Sequence, residues 1–345
     1  MARDGARPAY DPAGHDGDLR AALQELRTGR WLSMRLLLER TTAWCQWTRR
    51  TQVLAAAAAG TDVVRAWLAE EPHSVPATVM QARVAVERAL RARRERHLRT
   101  HELWIEAWDL SQSAARTAPP DPVPWVCLLA LAQLDRELLW EEHRAAPPEP
   151  TLPPGPWGLL DEAGRRDPHN REAHHRMLQF LYTRAGSGRL AAASGFAHLV
   201  AGTAPPGSAL HVLPLYVRAE RYRRGAGRGA ALDLHWVAED ATREALRARE
   251  GWFDRAGPAE RSPLDLNHLA HALWGALRFA DAAEVFDAIG PYCTPLPWAY
   301  RAPAPGDHAE AVQVFLQART RSRPGARGPG ARGPGARGPE RGPGS

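Results

Sequence analysis

The chain has 345 residues, 44% hydrophobic and 24% charged, a composition expected of a folded soluble protein with one large domain or two. All 45 basic residues are arginine, which together with the excess of Ala, Gly and Pro reads as GC-rich coding bias. The net charge of +6 lies wholly in residues 319–345, where seven arginines face the single acid Glu340. Residues 1–318 balance to zero, which excludes the global basic field usual in nucleic-acid-binding domains.

Residues 1–15 are rich in Gly, Pro and charge and are expected to be a disordered N-terminus. They lack the apolar run of a signal peptide, and no later run approaches the roughly 20 residues that span a bilayer. The expectation is a cytoplasmic protein. From Asp16 the apolar residues recur with helical spacing. Leu19, Leu23 and Leu26 form one stripe, and Trp31, Met34, Leu38, Trp44 and Trp47 mark the helical stretch over 30–58. Val63, Val64, Trp67 and Leu68 face inward on a helix that starts at Thr61. That helix ends at Glu71-Pro72. Further acid–Pro breaks stand at Asp121-Pro122 and Asp167-Pro168, with two helical patterns in each interval, a rhythm of helix hairpins. Residues 16–146 are read as the N-terminal hairpins.

Residues 91–99, RARRERHLR, are basic, but Arg91–Glu95 and Glu95–Arg99 at i, i+4 predict mutual cancellation on a solvated helical face; an anion or partner site is the lesser alternative. Residues 147–156, with six prolines in ten, are expected to form an extended, semi-rigid connector.

Residues 157–183 form the organising hairpin. Trp157, Leu160 and Gly164 share one face of its first helix. Ala173, Met177, Phe180 and Leu181 share a face of the second, with Arg171, Glu172, His175 and Gln179 mostly elsewhere on the wheel. Asp167 and Asn170 are both candidates to cap the second helix. C-terminal hairpins are expected to continue to residue 318. A glycine-rich stretch at 221–230 reads as a flexible loop, since no strand or Gly-Lys-Ser/Thr accompanies it. The 319–345 tail repeats GARGP with a period of five, is unlike collagen, and is expected to be disordered.

Residues 263–290, with Leu269, Ala270 and Leu273 in one helix and Ala282 and Phe286 in the next, resemble a tetratricopeptide helix pair. More broadly, AWLAEEPHSVPATVMQARVAVERA near 66–89, and RRDPHNREAHHRMLQFL followed by APPGSALHVLPL, resemble a bacterial tetratricopeptide-like family, the domain of unknown function 4034. The resemblance implies an all-α solenoid of irregular antiparallel hairpins over residues 16–290 and carries no activity with it.

Chemistry is sparse in the pattern. The three cysteines lack CxxC spacing, and Cys45 and Cys127 are expected to be buried small hydrophobes. His174 and His175 diverge on a helix, so with His169 they make a thin case for a metal. Asp161 and Glu162 diverge similarly. No catalytic residue, cofactor or metal is expected. The 13 tryptophans are expected mainly in the core, with an aromatic-lined groove as the alternative. The leading expectation is a non-catalytic scaffold or adaptor that binds a protein or peptide in the concave groove of a helical repeat. Its alternative is weak binding of nucleic acid or an acidic partner through the Arg-rich tail. An all-α enzyme comes last, and no membrane partner is expected.

Overall fold

The computed structural model describes residues 8–184, 186, 188–225, 234–304 and 306–323. Among them the fold is all-α, with two isolated β-bridges and no strand. The first group of helices comprises α1 (Gly17–Arg27), α2 (Leu32–Glu39), α3 (Trp44–Ala58), α4 (Val63–Glu70), α5 (Val75–Arg94), α6 (Thr100–Thr117) and α7 (Val123–Ala132). Next come α8 (Trp157–Arg166), α9 (Arg171–Thr183), α10 (Arg189–Thr203) and α11 (Leu213–Gly225). The chain closes with α12 (Leu234–Val237), α13 (Glu239–Ala248), α14 (Pro263–Gly275), α15 (Phe279–Ile289) and α16 (His308–Ser322). Residues 319–322, expected to belong to the disordered tail, complete α16, and residues 221–225, expected to be part of a flexible loop, complete α11, because each continues the helix that precedes it; residues 226–230 and 324–345 lie outside the described residues.

Each acid–Pro break falls between helices. After the first, Ser74 accepts from the Ala77 amide to cap α5; after the third, Asn170 accepts from the Ala173 amide at 2.9 Å to cap α9. At the second, Asp121 accepts from the Val123 amide at 2.7 Å where α7 begins. A side-chain acceptor satisfies amides that have no partner in the first helical turn, while proline has no N–H to leave unpaired there.

Two hydrophobic cores result. The first gathers residues from Ala13 to Val217, the second from Val212 to Ala318. They share a wall: Leu210, Leu213 and Val217 face the first core, while Val212, Leu215 and Ala219 face the second. The proline-rich 147–156 stretch, expected to be extended, instead folds back. The Gly155 amide donates to the Ala145 carbonyl, and Leu152 is buried in the first core. Gly155 is required there, because a Cβ would stand 2.9 Å from Phe180 Cε1.

Residues 8–15, expected to be disordered, are tied down as a strap. The Ala9 amide donates to the Pro291 carbonyl, and the Cys293 amide donates back to the Ala9 carbonyl. His15 Nε2 donates to the Ala288 carbonyl, and its ring stands edge-on to Tyr292. A short apolar-poor segment is thus ordered by backbone pairing with the loop after α15, where Pro291 stands 282 positions from Ala9 (291 − 9), a partner that local composition does not reveal.

Candidate functional site

On α8 the buried side chains are Trp157, Leu159 and Ala163. The expected Leu160 and Gly164 are only half-buried, because the helix is rotated to seat Leu159 and Ala163 in the core. On α9 the expected apolar face is buried, but so is Glu172. This corrects its placement on an outward face: its carboxylate is enclosed because cations meet it there.

Two polar networks leave α9 in different directions. In the first, Arg83 of α5 grips Glu172 with two parallel hydrogen bonds of 2.8 and 2.7 Å, and Arg176 adds bonds of 3.0 and 2.8 Å. Arg83 also donates to the Thr48 carbonyl of α3. Burial alone would raise the Glu172 pKa, yet Arg83 and Arg176 hold it below the ordinary carboxylate value. In the second, Arg171 grips Asp265 of α14 at 2.5 and 2.6 Å, and the Tyr216 hydroxyl of α11 donates to the same carboxylate at 2.6 Å. Burial opposes ionisation here too, but the Arg171 guanidinium holds Asp265 at about 2. His268 stacks on Tyr216 with ring centroids 3.7 Å apart, and burial lowers its pKa to about 4. His175 stands edge-on to the same tyrosine, and burial, then Arg171, push its pKa far down. The interior arginines and carboxylates therefore neutralise each other, while His175 and His268 are held neutral.

The histidines considered for a metal separate. His174 donates from Nδ1 to the Asn170 carbonyl and lies near Phe196, His175 turns to Tyr216, and His169 is exposed. Among the described residues no three metal-ligating side chains gather. Glu162 is held by Arg165 and Arg166, whereas Asp161 is exposed. Cys127 is buried, as expected, but Cys45 is exposed, because it starts α3 on the helix side away from Trp47, Thr48 and Thr51.

Eight of the 13 tryptophans are buried, and the others are partly buried against the cores or, like Trp274, packed on them. Trp104 and Trp108 stand edge-on to His143, whose Nδ1 donates to Asp135 at 2.8 Å, and Trp140 packs against both tryptophans. Around Arg301, Tyr222 and Trp274 lie 5.1 and 4.8 Å from the guanidinium, and its Nε donates to His271 Nε2. These aromatics enclose groups of the chain itself.

Among the described residues, two surface cavities lie near the end of α9. One, of about 620 Å³, lies between α10, the end of α9 and residues 151–153; Leu152, Pro153, Leu181 and Ala192 form apolar walls, and Arg184 and Arg189 are among its lining residues. The other, of about 500 Å³, is lined by Arg93, Arg96, His97, Thr100 and Arg136. The two are adjacent, since Arg184 donates to the Arg136 carbonyl at 2.7 Å. The basic 91–99 stretch departs from its expected helical form: α5 ends at Arg94, so the i, i+4 ladder through Glu95 is broken, and Arg99 pairs with Glu102 instead.

No family model, curated protein or solved structure matches this chain. Among the described residues no helix is long and apolar enough to cross a membrane.

Proposed function

We propose that the protein is a non-catalytic interaction scaffold or adaptor of the cytoplasm, and that it binds a peptide or protein segment in the groove between α10, the end of α9 and residues 151–153. The observation that carries this reading is the groove's make-up: apolar walls with Arg184 and Arg189 among them. Burying apolar side chains supplies affinity, and a few placed charges fix orientation. The occupant that complements it is a segment with an apolar anchor flanked by carboxylates. The accompanying architectural proposal is a tetratricopeptide-like α-solenoid of the kind the 4034 resemblance implies, supported by the succession of capped hairpins.

Affinity capture from native lysate tests the reading, with the full chain as bait, with and without nuclease. Two bait variants carry the comparison. In one, Ala191→Glu and Gly195→Glu place carboxylates on the exposed side of α10, where Gly195 has room for a side chain. In the other, Arg327, Arg332, Arg337 and Arg341 become Gln. The expected result is a nuclease-resistant protein partner retained by the tail variant and lost by the groove variant. A capture profile that depends on the tail and disappears with nuclease moves the function to the tail and contradicts the groove.

A further inference from the structure

We infer that the cavity lined by Arg93, Arg96 and Arg136 is a binding site for a phosphate group, either free or esterified to a side chain of another protein. The inference stands on different residues from the groove and does not depend on it.

Three exposed arginines from two separate parts of the chain line the same space of about 500 Å³. Elsewhere, arginines beside acids are paired: Arg99 with Glu102, Arg35 with Glu39, Arg223 and Arg224 with Glu220. Arg93, Arg96 and Arg136 have no ion-pair or hydrogen-bond partner for their side chains among the described residues. Their acidic neighbours do not fill the cavity; Glu95 and Glu137 are absent from its lining, and the Glu102 carboxylate is held by Arg99. Arginines in the last turn of α5 are explained by the negative end of the helix dipole. That accounts for Arg93. It does not account for Arg96, which lies beyond the helix, or for Arg136, which follows α7.

Arg96 also occupies a left-handed backbone conformation, φ 55°, at the place past a helix end where glycine is usual. His97 contributes a fourth donor. Its Nδ1 accepts from the Arg99 amide at 3.1 Å, which leaves Nε2 as the protonated nitrogen of the neutral ring. The start of α6 has no side-chain cap, so its positive end adds to the same potential. Three guanidinium forks and an imidazole N–H match the charge and the several acceptor oxygens of a phosphate better than the single charge of a carboxylate.

Calorimetric titration of the full chain at fixed ionic strength tests this, using pyrophosphate, an acidic peptide carrying one phosphoserine, and the same peptide unphosphorylated. The expected result is one-to-one binding of at least one phosphorylated probe. Each of Arg96→Gln and Arg136→Gln should weaken it about tenfold or more, as loss of a charge-assisted hydrogen bond does, and the tail variant should leave it unchanged. Binding of pyrophosphate assigns the site to a free anion; binding of the phosphopeptide alone assigns it to a modified chain. Both side chains are exposed and without partners, so the variants should retain the wild-type circular dichroism. The inference is overturned if neither phosphorylated probe binds at millimolar concentration, if the unphosphorylated peptide binds equally well, or if the pocket variants bind as the wild type does.

Discussion

Arg83 stands in α5 among Val79, Met80, Ala82, Val84 and Val86, all of them buried. A charged side chain survives there because Glu172 meets it with both oxygens and Arg176 completes the carboxylate's shell. Removing one partner strands the other in the interior, so Arg83→Met should lower unfolding stability by roughly 3–5 kcal/mol. Adding Glu172→Leu should recover a good part of that loss, since Arg176 still reaches Glu87 at 3.3 Å. Urea unfolding of the single and double variants measures both. The interior histidines set the response to acid. Burial depresses His268 from 6.5 to about 4 and also lowers His174, His175 and His271. A depressed folded-state value contributes stability that is present above 6.5 and lost as pH falls through the folded value. Asp121, raised by burial to about 6, Asp167, also raised by burial, and His198, raised by its bond to Glu244, act in the opposite sense but are fewer. Asp265, held at about 2, keeps its ion pair throughout this window. The urea midpoint should therefore fall between pH 6.5 and 4, and His268→Phe should flatten the fall by at most about 3 kcal/mol.

At the scale of elements, α9 organises the fold because it is amphipathic in three directions: an apolar face, a Glu172–Arg176 edge toward α3 and α5, and an Arg171–His175 edge toward α11 and α14. Its cap shows how much was legible in the sequence. The acid–Pro break at Asp167-Pro168 placed the helix start, and either Asp167 or Asn170 could have capped it by chemistry alone. The fold decides for Asn170, whose amide also donates to Thr48 at 3.1 Å and to Asp167 at 3.0 Å. Asn170→Ala should accordingly cost about 2 kcal/mol, against about 1 for Ser74→Ala, which loses a cap alone; thermal unfolding of the two variants makes the comparison. The resemblance of residues 263–290 to a helix pair located α14 and α15, and helix periodicity located most of the buried face of α9. It missed the polar edges, because Arg83 and Glu172 are 89 positions apart and Arg171 and Asp265 are 94 apart. One signal was present: an arginine inside an unbroken apolar helix face implies a buried partner. Arg136 carried no such mark, and only the folded chain brings it beside Arg93 and Arg96.

Across the whole molecule, the links that join the two cores among the described residues include three. The 210–219 segment sends alternate side chains into both, the Arg171–Asp265–Tyr216 cluster bridges α9 to α11 and α14, and the 8–15 strap ties the start of the chain to the loop after α15. Gly14 permits the last of these, with φ +57° and a Cβ position only 2.5 Å from Pro263 Cγ. That α9 welds the cores into one body is the claim on which the fixed geometry of the groove and of the arginine cavity depends, since both border on the end of α9 or on the Arg136 loop bonded to it. Native-state hydrogen exchange as a function of urea tests it most directly. In the wild type the slowest amides of α5, α9 and α14 should exchange with one common free energy and one urea dependence, and Asp265→Asn should separate α14 from the other two. Exchange of α14 through a smaller opening in the wild type, while α5 and α9 stay protected, would contradict it.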